Sequence, residues 1–404
     1  MINTLLFLGI ALLSGFVIGK FTHNLKITAI VGYIIAGIIL GPVLGIVELN
    51  QEAVDIVVGI TLGLVAFTIG EGFTRDLFRR HGRVIITILI IESLGAFLIV
   101  TLGVWLLTRD LVLALIFGSL APATAPVGTI AALREYKAEG PVTDTLTAIV
   151  GLDDAVAVII FVLCLSAVKV LLGGELSAIS TAGEISLEIG GALLLGAAIG
   201  AAIAFGARKL RERDDILMVS LAGILACWGI ATAFGMSSIL ACMVLGATVA
   251  NLRPAIAERT HRIIESILPP IFVIFFIVAG MALEPELLLK MGIVGIIYIL
   301  CRVLGKVLGT SIGARISRAG PAFRKYLPFG LLSQAGVAIG LACMVATELR
   351  GYGEIGQSLG AAAITIIAAS TVVFEISGPI GVRYAVTKAG EAKRRKVAIF
   401  CRDP

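Results

Sequence analysis

Apolar stretches of helical length follow one another along the whole chain, separated by short polar breaks. They run 3–19, 28–47, 53–72, 84–107, 111–132, 143–168, 185–206, 215–233, 238–250, 264–282, 287–313, 327–348 and 357–382. A helix needs about 20 mostly apolar residues to cross a bilayer. Backbone in lipid must also satisfy its own hydrogen bonds, which restricts what such a chain can become. Charged residues make up 15% of the 404 and hydrophobic residues 58%, whereas soluble domains are about a quarter charged. The expected fold class is an all-α polytopic membrane protein with 13 transmembrane helices. The stretch 238–250 is the shortest and least secure of them.

The basic residues sort by side. Of 32 Lys and Arg, 26 lie in alternate breaks or the tail: Lys20 and Lys26; Arg75, Arg79, Arg80 and Arg83; Arg134 and Lys137; Arg208, Lys209, Arg211 and Arg213; Arg253, Arg259 and Arg262; Arg315, Arg318, Arg324 and Lys325; then seven from Arg383 onward. The opposite breaks hold only Arg109, Lys169, Lys290 and Arg350. Basic loops stay cytoplasmic, so the N-terminus is expected outside, the C-terminus inside and the span number odd. The net charge of +5 is spread over many loops, which gives no nucleic-acid patch. The run Lys393 to Lys396 suits a surface of anionic lipid. His23, His81 and His261 fall on the basic side and are expected as solvated loop residues. The stretch Thr4 to Ile18 has no basic start and no clear cleavage site, so it reads as a retained span. Cys164, Cys227, Cys242, Cys301 and Cys343 lie in apolar stretches, and Cys401 in the tail; their spacing suggests neither disulfides nor a metal knuckle.

Two acids, Asp153 and Asp154, stand side by side in a segment otherwise apolar from Ala148 to Val168. An ionisable group at bilayer depth costs about 2.5–3.5 kcal/mol even on the lenient insertion scale, and is by default functional with a partner to be found. Arg302 and Lys306 lie four apart inside 287–313, on one helix face. Lys306 is too deep for snorkelling to explain fully. Glu92 and Glu375 are the other acids within spans; Arg302 is expected as a fixed counter-ion for one of them, the alternative being that Glu92 or Glu375 relays protons. Two spans carry helix-disfavouring residues near their middles: Pro122, Pro126 and Gly128 in the fifth, Gln334 and Gly336 in the twelfth. Seven spans apart, they cross in opposite directions. Interrupted helices in inverted halves point to a transporter's binding site, and such backbone is tolerable only where it lines a cavity or is buried in protein. An ion-coupled transporter follows, with one acid as carrier. Membrane enzymes of the aspartyl-protease or prenyltransferase kind need acids on different helices or in spaced motifs. The adjacent pair serves neither, so no enzyme and no cofactor is expected.

The stretch Ala123 to Thr129, with Leu133-Arg134-Glu135, Gly140-Pro141 and Leu152-Asp153-Asp154, resembles the monovalent cation:proton antiporter family, in particular its Asp-Asp (NapA-like) branch. Gly32-Tyr33 to Gly41-Pro42, Arg302 to Lys306, Gln334 to Gly340 and Phe374 to Pro379 extend the likeness over essentially the whole chain. The resemblance implies an NhaA-like fold with two crossed, broken helices. It implies scaffold and dimerisation helices in 1–83 and 214–282, ion-binding core helices in 84–168 and 283–382, a linker helix in 169–213 and a basic cytoplasmic tail, 383–404. It further implies a homodimer and an elevator mechanism, and the expected location is a prokaryotic inner (plasma) membrane. Asp154 would bind the cation or the proton, Asp153 would pair with Lys306, and Thr124 and Thr129 would offer oxygens. Ala125 stands where relatives often have Ser, and Gln334 where some carry an acid, which leaves ion selectivity open.

The chemistry suits these residues. Neighbours on a helix point about 100° apart, so one Asp can meet Lys306 while the other faces a cavity. A partly desolvated carboxylate beside a like charge holds its proton more firmly. Na⁺, Li⁺ or K⁺ and H⁺ then compete for one movable site, which suffices for exchange. A Lys306 that gives up its proton would make the exchange electrogenic. A K⁺/H⁺ antiporter or a potassium efflux system on the same fold is the alternative reading.

Overall fold

The computed structural model describes residues 4–24, 29–43, 51–74, 82–173, 187–206, 212–283, 286 and 292–392. Lys26, Arg75, Arg79, Arg80, His81, Arg208, Lys209, Arg211, Lys290, Cys401 and the run Lys393 to Lys396 lie outside the described residues, as does the side chain of His23.

The helices are α1 (Thr4–Asn24), α2 (Ala29–Ile38, ending in a π turn), α3 (Gln51–Glu71), α4 (Gly82–Thr108), α5 (Leu111–Leu120), α6 (Pro126–Glu135) and α7 (Pro141–Gly173). Then come α8 (Ala192–Gly206), α9 (Arg213–Ala233), α10 (Ser238–Leu252), α11 (Pro254–Met281), α12 (Gly292–Ile316), the short α13 (Pro321–Lys325), α14 (Gly336–Glu348) and α15 (Gly353–Ala389). Among the described residues, eight helices are long and apolar enough to span a membrane, and five shorter apolar helices accompany them. The protein is therefore all-helical and polytopic. Exposed Leu13, Phe16, Leu194, Leu300 and Ile380 are unremarkable in such a chain, because lipid is their solvent.

Hydropathy marks the oily part of a helix, not its ends. α11 starts ten residues before the apolar stretch that announced it, with Pro254 in its first turn, where a missing N–H costs nothing. His261 thus sits on a helix, not on a solvated loop. Its Nδ1 is 3.1 Å from Glu71 and its Nε2 3.3 Å from Glu265. α15 likewise runs past the stretch 357–382 at both ends and stops at Gly390, whose φ of 78° is the left-handed cap that glycine favours. Capping side chains start other helices: Asp110 accepts from Leu113 N (3.0 Å) ahead of α5, and Ser237 from Leu240 N (3.3 Å) ahead of α10.

α7, which carries the two acids, is capped from a distance. Glu391, just beyond α15, accepts from Val142 N, Thr143 N and the Thr143 hydroxyl, each at 2.8 Å. A carboxylate there answers orphan N–H groups and the positive end of the helix dipole together.

Among the described residues, α4 and α12 share the most extensive helix–helix packing. Gly305, Gly309 and Gly313 recur every four residues along α12. A Cβ on Gly309 would stand 2.7 Å from the Glu92 Cα, and one on Gly305 2.7 Å from the Ala96 Cα. Backbones this close bring the Glu92 side chain level with Lys306. The packing otherwise gathers α1, α2, α3, α9, α10 and α11 against one another, and α4 to α7 with α12 to α15. α8 lies on α9 and α10. Away from the charged interior, Arg350 grips Asp55 of α3 with two hydrogen bonds (2.7 and 2.9 Å). Lys169 of α7 bridges Glu188 (3.4 Å) and Glu348 (2.7 Å).

Gly309→Val is expected to force α4 from α12 and to lower stability by about 1–3 kcal/mol, the usual cost of overpacking. Thermal unfolding in detergent measures it, with exposed Gly229→Ala, which meets nothing within 4 Å, as the harmless control. Glu391→Ala should cost about 0.5–2 kcal/mol, as loss of a cap does, read as earlier amide exchange in the first turn of α7.

Candidate functional site

The two interrupted spans meet in the middle of the molecule. α5 ends at Leu120 and α6 begins at Pro126, leaving Ala121 to Ala125 outside helical pairing. In the other span a 3-10 turn, Leu327–Leu331, gives way to non-helical backbone before Gly336 opens α14. Pro126 supplies the preset first turn of α6. The two crossing segments touch directly, with Ala125 N donating to Ser333 O at 3.1 Å.

Unwinding frees carbonyls that lipid cannot satisfy. Arg302 takes four of them. Its Nε donates to Ala121 O (2.9 Å), Nη1 to Leu332 O (2.8 Å), and Nη2 to Ala123 O (2.7 Å) and Ser333 O (3.2 Å). The guanidinium carbon also lies 4.4 Å from the centre of the Phe374 ring, a cation–π contact. Gln334 adds to the clamp, donating from Nε2 to Leu120 O (3.0 Å) and to the Tyr298 hydroxyl (2.8 Å). Arg302 is therefore a fixed structural charge of a different kind from the expected carboxylate counter-ion. It lies level with the crossing, where carbonyls at the negative ends of two helix pieces meet its planar fork of donors.

One turn along α12, Lys306 takes the carboxylates. Its Nζ lies 2.7 Å from Asp153 Oδ2 and 2.9 Å from Glu92 Oε2. It also donates to Thr124 Oγ1 at 2.8 Å and to the Pro122 carbonyl. The Thr124 hydroxyl donates a hydrogen bond to Asp153 Oδ2, and Ser93 donates to Asp153 Oδ1 at 2.9 Å. Glu92, Asp153 and Lys306 are all fully buried.

Asp154 points elsewhere. It is 4% exposed, and its Oδ1 is buried with no hydrogen-bond partner among the described residues. The Thr124 backbone amide faces its carboxylate. The side chain thus keeps acceptor capacity beside an unwound segment.

Thr129 is not gathered into this group. It lies within α6, and its hydroxyl donates to Ser333 Oγ at 3.4 Å. Glu375 stands near the first turn of α6, where a Cβ on Gly128 would be 3.8 Å from both its oxygens. Gly336 faces the ring of Phe276, 3.1 Å from where a Cβ would be. Sequence reasoning missed Ser93, Ser333 and Tyr298. Each is a small or amphipathic residue in an apolar run, and only the adjacency of Ser93 to Glu92 and of Ser333 to Gln334 could have drawn notice.

Residues 8–380 match the family described as sodium/hydrogen exchanger, transmembrane. No curated protein matches at a significant level. Among solved structures, that of the sodium proton antiporter MjNhaP1 from Methanocaldococcus jannaschii at pH 8 is similar in fold, with a TM-score of 0.72 at 19% identity over 95% of this chain and 96% of that one. An electron-microscopy structure of the same antiporter gives a TM-score of 0.73 at 19% identity, covering 98% of this chain and 100% of that one. With the family matched along nearly its full length, this chain is an integral, multi-pass membrane protein and a transporter, not an enzyme: it belongs to the sodium/hydrogen exchanger family.

Proposed function

We propose that the protein exchanges Na⁺ for H⁺ across the membrane, with Asp154 as the carboxylate that binds one or the other. The observation that carries this reading is the buried, unpartnered Oδ1 of Asp154 beside backbone that has left its helix. A proton or a desolvated monovalent cation meets that need equally, but not both at once. An empty site would move a bare carboxylate through oil at a cost of about 2.5–3.5 kcal/mol even on the lenient scale. Loaded crossings are therefore favoured, and exchange follows.

Asp153 and Thr124 take the supporting role. They hold Lys306, whose positive charge makes an ionised Asp154 tolerable at this depth. Thr129 belongs to the wall of the crossing and not to the first ring of oxygens. Electrogenic exchange needs a second proton beyond that on Asp154, and the ion pair around Lys306 is the place for it. Pro122, Pro126, Gly128, Gln334 and Gly336 shape the crossing.

The wider reading takes the Asp-Asp, NapA-like branch as the one this chain follows. Core helices in 84–168 and 283–382 carry the site as an elevator against scaffold helices in 1–83 and 214–282, with 169–213 linking them. The working unit is a homodimer, N-terminus outside and C-terminus inside a prokaryotic plasma membrane, its basic tail (383–404) against anionic lipid. The distribution of basic residues and the two packed groups of helices support this reading. Ala125, which offers no hydroxyl, leaves more of the coordination to backbone carbonyls.

In proteoliposomes with an imposed pH gradient, adding Na⁺ should dissipate the gradient, and a series with Li⁺ and K⁺ ranks the cations. Asp154→Asn should abolish the response; full exchange by this variant sinks the carrier role. Lys306→Gln should weaken voltage dependence or thermal stability before exchange is lost. An active Lys306→Gln protein with unaltered voltage sensitivity would remove the ion pair from proton coupling.

A further inference from the structure

Lys306 has more oxygens around it than protons to give them. An ammonium carries three N–H bonds. Three acceptors take them in hydrogen-bonding geometry: the Pro122 carbonyl, Thr124 Oγ1 at 2.8 Å and Asp153 Oδ2 at 2.7 Å. A fourth oxygen, Glu92 Oε2, stands in ion-pair contact 2.9 Å from Nζ yet has no hydrogen-bond partner among the described residues. The lysine gives it charge but no hydrogen.

Ser93 does not make up the deficit. Its hydroxyl holds one hydrogen, with Asp153 Oδ1 at 2.9 Å and Glu92 Oε1 at 3.4 Å, so the nearer oxygen takes it. The Glu92 and Asp153 carboxyls crowd the same Nζ, at 2.9 and 2.7 Å, and lie against the same Ser93 hydroxyl. Two buried carboxylates so placed hold a proton between them. The charges facing Glu92 are Lys306 and Arg302 on α12 and Asp153 and Asp154 on α7; α5, also packed on α4, carries none. Arg302 is spent on carbonyls. With both acids ionised, the cluster of Glu92, Asp153 and Lys306 has one uncompensated negative charge, and all three side chains are fully buried. A proton on Glu92, donated to Asp153, makes it neutral and completes its hydrogen bonds.

We propose that Glu92 is a second proton-holding residue of the exchange cycle, loaded when the cation site is empty and unloaded when a cation arrives. This rests on the exchange reading given above. A monovalent cation settling on Asp154 with Asp153 beside it takes the place of the Asp154 proton, and its single charge replaces that one alone. The Glu92 O–H bond then breaks with the electron pair left on the carboxylate, and the proton passes to neighbouring Asp153 and on by way of Asp154 to water on the side to which the site is open. The loaded site carries one negative charge more than the protonated one, and that difference makes the cycle electrogenic. Lys306 remains an ammonium throughout. The second proton of an electrogenic cycle then resides on Glu92 and not on the lysine.

The test counts protons released when Na⁺ is added to the purified full-length protein in weakly buffered detergent, followed with a pH indicator. Glu92→Gln should keep cation-driven release but roughly halve the protons freed per cation bound, because one of two coupled sites is gone. The reversal potential in proteoliposomes should move towards one-for-one exchange. Release from Glu92→Gln equal to the wild type, with an unmoved reversal potential, overturns the proposal while leaving exchange at Asp154 intact. No Na⁺-driven release from the wild type sinks the exchange reading itself. Should Glu92→Gln fail to fold, the wild type labelled with ¹³C-glutamate serves. A protonated-carboxyl infrared band that shifts with the label and vanishes on adding Na⁺ supports the proposal, provided it persists in Glu375→Gln. Absence of such a band, or its loss in Glu375→Gln, overturns it.

Discussion

Freed carbonyls in oil are the constraint on which this architecture turns. Two helices break where they cross, and each break strands peptide oxygens far from water. Arg302 answers four of them at once, with a planar fork that a lysine does not have. Gln334 and Tyr298 take up the next carbonyl along. Without these donors the open segments would close into helix or admit water, and the acids would lose the irregular backbone beside them.

The same helix separates two kinds of work within a single turn. Arg302 holds backbone and stays out of the chemistry, while Lys306 holds side chains that can change state. Close approach of α4 and α12 along Gly305 and Gly309 makes this division possible, because it carries Glu92 into the lysine's reach. Buried ion pairs are seldom retained for stability alone. A cluster of two carboxylates and one ammonium is a poor strut and a good counter of charges.

Much of this was legible in the residues. Long apolar stretches, the sidedness of Lys and Arg, and acids stranded among Val, Ile and Ala need only hydropathy to be seen. The breaks announced themselves through Pro122, Pro126 and Gly336. Partnership was harder. Arg302 was expected to seek an acid, since sequence shows charges and hides carbonyls; which carbonyls are orphaned depends on where the helix opens. Lys306 gained Glu92 through glycines two turns of thought away from either residue, and nothing in the sequence near 92 names position 309. The cap on α7 lies 248 residues from the threonine that it holds, a separation that no local pattern bridges. Helix ends also ran past the hydropathy boundaries, because water as well as lipid supports a helix once it has begun.

The grip of Arg350 on Asp55 has a mechanical consequence. It fastens the junction between α14 and α15 to the first turns of α3, away from the acids. In the proposed elevator motion, sliding of one packed group past the other would tear this fork apart, so a latch at the surface, its side chains 36% and 34% exposed, would have to open and re-form at every crossing.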